Sequence, residues 1–116
     1  MNMKMFYQKK YNDLKSVIAS YEKDEDGGVI KSILHLDSSD GERDVLTLNF
    51  PLLPVFVSEG SIVEWDKFKK RLVDTKVIYV WVFKQDQLFH ISIYFYDGKI
   101  VLISCKDIPE LHEQFN

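Results

Sequence analysis

Cys105 and His90 are the one pairing in this sequence with the makings of a nucleophile and its base, a thiol beside an imidazole. Both lie in residues 76–105, where a tight turn at Asp97-Gly98 places them opposite each other on adjacent strands. No Asn or Asp is placed to orient His90, because Asp86 and Asp107 sit at best near strand ends. A lone buried cysteine usually serves as a small hydrophobe. No catalytic residue is therefore assigned, and enzymatic activity is not expected. Metal chemistry fares no better. His35, His90 and His112 are scattered without ligand spacing, and one cysteine makes no zinc cluster. The run Asp37-Ser38-Ser39-Asp40-Gly41 meets only part of a calcium-loop pattern and has no closing Glu. There is no phosphate-cradling glycine loop, so no cofactor is expected.

The elements that would position these groups are clearest in residues 76–105. Three apolar runs are divided by the polar break Lys84-Gln85-Asp86-Gln87 and by Asp97-Gly98. An Asp-Gly pair between apolar residues is a strong hairpin signal, since both central positions of a type I′ turn need positive φ. A two-residue turn there pairs Phe95 with Ile100 and His90 with Cys105. A four-residue turn at the polar break pairs Phe83 with Leu88 and Trp81 with His90. In that register Ile78, Val80, Val82, Phe89, Ile91, Ile93, Phe95, Ile100 and Leu102 share a core face. The other face holds Val77, Tyr79, Trp81, Phe83, Leu88, His90, Tyr94, Tyr96, Val101, Ile103 and Cys105. A sheet with one wet face alternates apolar with polar residues. This one does so only in part, so either the chain itself or a partner is expected to cover the aromatic side.

Around this meander the spacing predicts two main helices. Tyr7, Tyr11, Leu14, Ile18 and Tyr21 fall on one face of a helix over residues 4–22. Ser61 and Glu64 form a capping box for a second helix, with Ile62, Trp65, Phe68 and Leu72 inward and Lys67, Lys70, Arg71 and Asp74 outward. Residues 29–36 and 45–50 read as a hairpin joined by a longer loop, and 55–57 as a short extended piece. Asp107-Ile108-Pro109-Glu110 starts a short helix ending near Phe115. The expected fold is one α+β domain over residues 1–116, ordered α-β-β-α-β-β-β-α. A single mainly antiparallel sheet of about five strands would carry the helices.

Composition sets the outer bounds. With 116 residues, 46% hydrophobic, the chain has enough apolar material for one core. Aromatic residues make up 14%, and the formal net charge is −3, which argues against nucleic acid as a partner. The single cysteine excludes an internal disulfide and suits a reducing compartment. No apolar leader or membrane-length run is seen, so a cytoplasmic location without membrane contact is expected. Eight of the 18 acids fall between residues 22 and 44, against three bases. That region is an acidic lobe on an otherwise near-neutral body.

With its length, its acidic segment from Glu22 to Asp44 and its aromatic sheet around Trp81, the chain resembles the small acidic immunity proteins that neutralise bacterial toxins. The resemblance is to the class as a whole and carries no motif. It implies a cytoplasmic bacterial protein that blocks a toxin, with the acidic lobe answering a basic toxin domain. The expected partner-binding residues are Asp37, Asp40, Glu42 and Asp44, with Tyr79, Trp81, Tyr94 and Tyr96 as aromatic anchors. The alternatives are a self-associating, homodimeric accessory protein of bacterial or phage origin, and a small ligand-binding α+β cup.

Overall fold

A computed structural model describes residues 8–27, 29–48, 55–57, 62–63, 65–85 and 87–114 of the chain. Among these residues the protein is mostly β, with one α-helix. The strands are β1 (Gln8–Tyr11), β2 (Leu14–Lys23), β3 (Val29–Ser38), β4 (Arg43–Leu48), β5 (Val55–Val57), β6 (Ile62–Val63), β7 (Val77–Gln85), β8 (Leu88–Phe95) and β9 (Ile100–Cys105). The helix α1 (Trp65–Asp74) joins β6 to β7, and a 3-10 turn spans Pro109–Gln114. A six-stranded sheet runs β1-β7-β8-β9-β5-β6, and a separate three-stranded sheet runs β2-β3-β4. No described helix is long and apolar enough to cross a membrane.

This architecture overturns the expected two-helix α+β order. Residues 8–23 form two strands, each paired to a different sheet. β1 lies antiparallel to β7, pairing Lys10 with Trp81, while β2 lies antiparallel to β3, pairing Ile18 with His35. The chain crosses between the sheets at Asn12-Asp13, where Asp13 adopts φ 54. Aspartate tolerates this left-handed geometry better than most residues. The helical spacing of Tyr11, Leu14 and Ile18 is thus incidental. Val17 and Ala19 are buried while Ile18 between them is 53% exposed, the two-residue period of a strand. The hairpin β3–β4 likewise does not join the meander, because it pairs with β2 and makes its own sheet.

Both sheets bury one side in a common core. The six-stranded sheet contributes Val80, Val82, Phe89, Ile91, Ile93, Val101, Ile103 and Cys105, and the three-stranded sheet Val17, Leu34, Leu36, Leu46 and Leu48. Fully burying a side chain of this size contributes about 1.5–3 kcal/mol. α1 packs beside β2 and sends Phe68 into the core, with Leu72 partly buried behind it. The expected outward Arg71 instead turns in, with its guanidinium 4.5 Å from the Phe95 ring and 2.6 Å from the Asp97 carboxylate. The helix begins at Trp65, so Ile62 belongs to β6; Ser61, Glu64 and Phe115 lie outside the described residues. The 3-10 turn, expected as a short helix, lies beside β4 and buries Leu111, and Ile108 just before it is buried as well.

The meander is present, with corrected turns. Asp97-Gly98 does not form a two-residue turn. Gly98 N–H donates to the Phe95 carbonyl (3.0 Å), Phe95 N–H donates to the Lys99 carbonyl (3.0 Å), and Gly98 takes φ +88. This is a three-residue loop, a type I turn closed by a left-handed glycine in a bulge. Register moves by one, so Tyr94 faces Ile100 and His90 faces Ser104. A one-residue slip turns every β9 side chain to the other face. Val101, Ile103 and Cys105 therefore enter the core, and Ile100 and Leu102 leave it. The β7–β8 connection is shorter than expected, with Gln85 facing Leu88 and Phe83 facing His90. That shift is two residues, so the faces of β7 and β8 hold. Ile78, expected in the core, is 42% exposed at the irregularity between Val77 and Tyr79.

Candidate binding face

The outer side of the six-stranded sheet collects the aromatic residues. Two-residue alternation along β7 presents Tyr79, Trp81 and Phe83, half-buried, opposite the buried Val80 and Val82. Neighbouring β8 presents His90 and Tyr94 on the same side. Cross-strand pairing then stacks them. Tyr79 faces Tyr94, with ring centroids 4.3 Å apart, and Phe83 faces His90 at 5.0 Å, both stacked. Trp81 tilts against Phe83 at 5.5 Å. On β1, Lys10 sits beside Trp81 and places its ammonium 4.2 Å from the Tyr79 ring centre, a cation–π contact. Burial, then the adjacent Tyr79, pushes the Tyr94 hydroxyl above its ordinary range. The described strand positions on this side of β1, β7, β8 and β9 carry no carboxylate.

Tyr96, expected on the same face, lies in the turn and is 62% exposed, with the Lys76 ammonium 5.3 Å from its ring centre. Sequence reasoning missed Lys10 as part of the face, because residues 4–22 read as helix. The signal available was Tyr11 followed by Asn12-Asp13, a turn-prone pair that cuts a helix short.

The thiol and the imidazole do not meet. Cys105 faces Phe89 on the core side, and burial pushes its thiol up to about 12. His90 lies on the aromatic side, its Nδ1 2.9 Å from the Ser104 hydroxyl and its ring against Phe83. His112 pairs instead with Asp107. Among the described residues no group of three His, Cys, Asp or Glu side chains is gathered for a metal ion.

The four acids expected beside the aromatics lie on the other sheet. Asp37 on β3 accepts from Arg43 Nε at 2.7 Å and from Ser16, and the Arg43 hydrogen bond chiefly holds its carboxyl below the ordinary range. Asp44 pairs with Lys9 at 3.1 Å, tying β4 to β1. Asp40, exposed in the loop, accepts the Glu42 N–H through one carboxylate oxygen, 3.0 Å away. The loop Ser39-Asp40-Gly41 repeats the Tyr96-Asp97-Gly98 geometry, including the closing bonds and a left-handed glycine at φ 98. Asp37 and Asp44 are thus engaged within the chain, while Asp40 and Glu42 project at the exposed tip.

A polar hollow of about 340 Å³ lies between β1, β4 and the 3-10 turn. It gathers Lys9, Arg43, Asp44 and Glu110. Each is committed to a neighbour. Lys9 holds Asp44, Arg43 holds Asp37, and Glu110 accepts from the Thr47 N–H (2.7 Å) and hydroxyl. The hollow therefore reads as the stitching between β1, β4 and the 3-10 turn.

Comparison with protein-family models, curated proteins and solved structures gives no match for this chain.

Proposed function

We propose that this protein is a non-catalytic binding module that holds a protein partner on the aromatic outer face of its six-stranded sheet. The carrying observation is the interlocked set Tyr79–Tyr94 and Trp81–Phe83–His90, seated on strands whose opposite sides are core. Tyr and Trp dominate binding hot spots, because they bury a large area while keeping a polar group satisfied. Stacking fixes their rotamers before binding, so little side-chain freedom remains to be lost. The partner of first choice is a cognate bacterial toxin domain, with the chain as its immunity protein. A basic toxin suits the exposed Asp40 and Glu42, which lie on the other sheet and steer approach without sharing the anchor.

The test is capture of the partner from the native cell by the wild-type chain and by Trp81→Ala. Losing one central aromatic anchor is expected to cost about 2 kcal/mol or more, roughly 30-fold in Kd. Reversing Asp40 and Glu42 to Lys should slow association and flatten its salt dependence while leaving dissociation unchanged. A complex that Trp81→Ala leaves intact refutes the aromatic anchor. A concentration-dependent dimer that Trp81→Ala abolishes would assign the face to self-association.

A further inference from the structure

We propose a second binding site, at the edge of β2, for an extended peptide that carries alternating apolar side chains and at least one carboxylate. The three-stranded sheet has two edges, and the structure treats them differently. At β4 the 3-10 turn closes the edge. Glu110 accepts the Thr47 N–H, a backbone donor that points away from β3 and would otherwise offer itself to a new strand. At β2, the other terminal strand, no further described strand pairs beyond it.

A groove of about 260 Å³ runs along that edge. One wall is the continuous run Leu14 to Ile18. β2 carries a bulge between Leu14 and Ser16, but Ser16, Val17 and Ile18 pair in order with Asp37, Leu36 and His35 and so alternate in face. Three such residues in a row can border one groove only if the strand's backbone edge opens into it. The opposite wall is Leu72 and Val73 at the end of α1 with Val77 at the start of β7. Two of these apolar side chains stand well into solvent, Val73 at 84% and Ile18 at 53% exposed. Single exposed apolar residues are ordinary, but here they flank a groove and a strand edge. Among the described residues that border the groove the charged ones are Lys15 and Lys76; the Asp37 carboxylate that reaches Ser16 from β3 is held by Arg43.

These features name the occupant. A free strand edge supplies a ladder of main-chain hydrogen bonds to an extended segment, and alternate side chains of that segment enter the adjoining groove. The apolar walls take every second residue. Lys15 and Lys76 meet a carboxylate at the groove mouth. The groove borders none of Tyr79, Trp81, Phe83, His90 and Tyr94, so the site stands or falls independently of the proposed function.

The test uses the full chain, immobilised, against a random-peptide phage library. The best selected peptide is then made synthetically and followed by amide hydrogen exchange. Selected sequences are expected to alternate apolar residues and to include Asp or Glu. Amides within residues 14–18 should exchange roughly tenfold more slowly when the peptide is bound. Val73→Glu, and separately the double variant Lys15→Glu with Lys76→Glu, should each weaken binding by about tenfold or more. All three side chains are exposed, so these variants keep the fold, and Trp81→Ala should leave peptide binding unchanged. The proposal is overturned if nothing is selected, if binding survives Val73→Glu, or if protection appears on β8 and β9 in place of β2. A concentration-dependent dimer that protects the same amides without peptide would also overturn it, by giving the edge to a second copy.

Discussion

His90 and Cys105 lie on opposite sides of one sheet, one step apart in register: His90 faces Ser104, while Cys105 faces Phe89. A single left-handed glycine in the connecting loop separates them. The would-be nucleophile is thereby a core thiol, and the imidazole is part of an aromatic surface. Cys105 should therefore react with a thiol reagent at neutral pH far more slowly than free cysteine, and at the rate of global opening. Labelling as fast as that of a free thiol would contradict the burial.

The same thiol gives a pH signature. Its pKa rises from the ordinary 9.0 to about 12 on folding. In the unfolded chain the thiol loses its proton above about pH 9, whereas the fold retains it. The neutral-thiol contribution is complete below pH 9 and is lost as pH climbs from 9 towards 12, at up to about 1.4 kcal/mol per pH unit. Denaturant melts of wild type and Cys105→Ala across pH 8–11 isolate this effect. The gap between the two should change with that slope, and a constant gap would count against it.

Register is testable by mutation. Ile103 is fully buried, and its neighbour Leu102 lies on the half-buried outer side. Ile103→Ala should cost about 2–5 kcal/mol in urea unfolding. Leu102→Ala should cost about 1–2 kcal/mol. The two-residue turn would reverse that order.

Gly98 and Gly41 occupy equivalent positions in twin loops, each with open space where a Cβ would go. Any cost of adding a side chain there is conformational and not steric. Gly98→Ala should destabilise by about 1 kcal/mol, and Gly98→Asn by less, because Asn tolerates the left-handed region. Equal losses for the two variants, read from thermal melts, would point to a clash instead.

Asp37 should titrate below its ordinary 3.8 by carboxyl NMR, mainly through the Arg43 hydrogen bond, with Ser16 and the His35 charge adding less. A depressed carboxylate pKa stabilises the fold above pH 3.8 and stops doing so as pH falls through the folded value. Arg43→Ala should return the midpoint towards 3.8. Arg43→Lys should recover part of the shift, since a single ammonium replaces a planar fork. An unmoved midpoint in Arg43→Ala would assign the shift elsewhere.

Much of residues 76–105 is legible in the sequence. Alternating apolar residues and turn-forming pairs are local signals, and the strands, their order and the faces of β7 and β8 follow from them. Alternation alone therefore puts Tyr79, Trp81 and Tyr94 on one side. Turn type is not legible, because Asp-Gly serves both a two-residue turn and a type I turn closed by a glycine bulge. The choice moves the register by one and decides whether Leu102 or Ile103 is core. Residues 8–23 read as the wrong element. Tyr11, Leu14 and Ile18 satisfy a helical period, and the turn-prone Asn12-Asp13 between them is the one local signal against it. Their strand form comes from β7, distant in sequence, and from β3, the next strand in the chain, whose hydrogen bonds and buried faces outweigh a weak local preference. The charge of the acidic lobe is likewise plain from composition. Which of its carboxylates remain at the surface is decided by Arg43 and Lys9, which only the folded chain brings to Asp37 and Asp44.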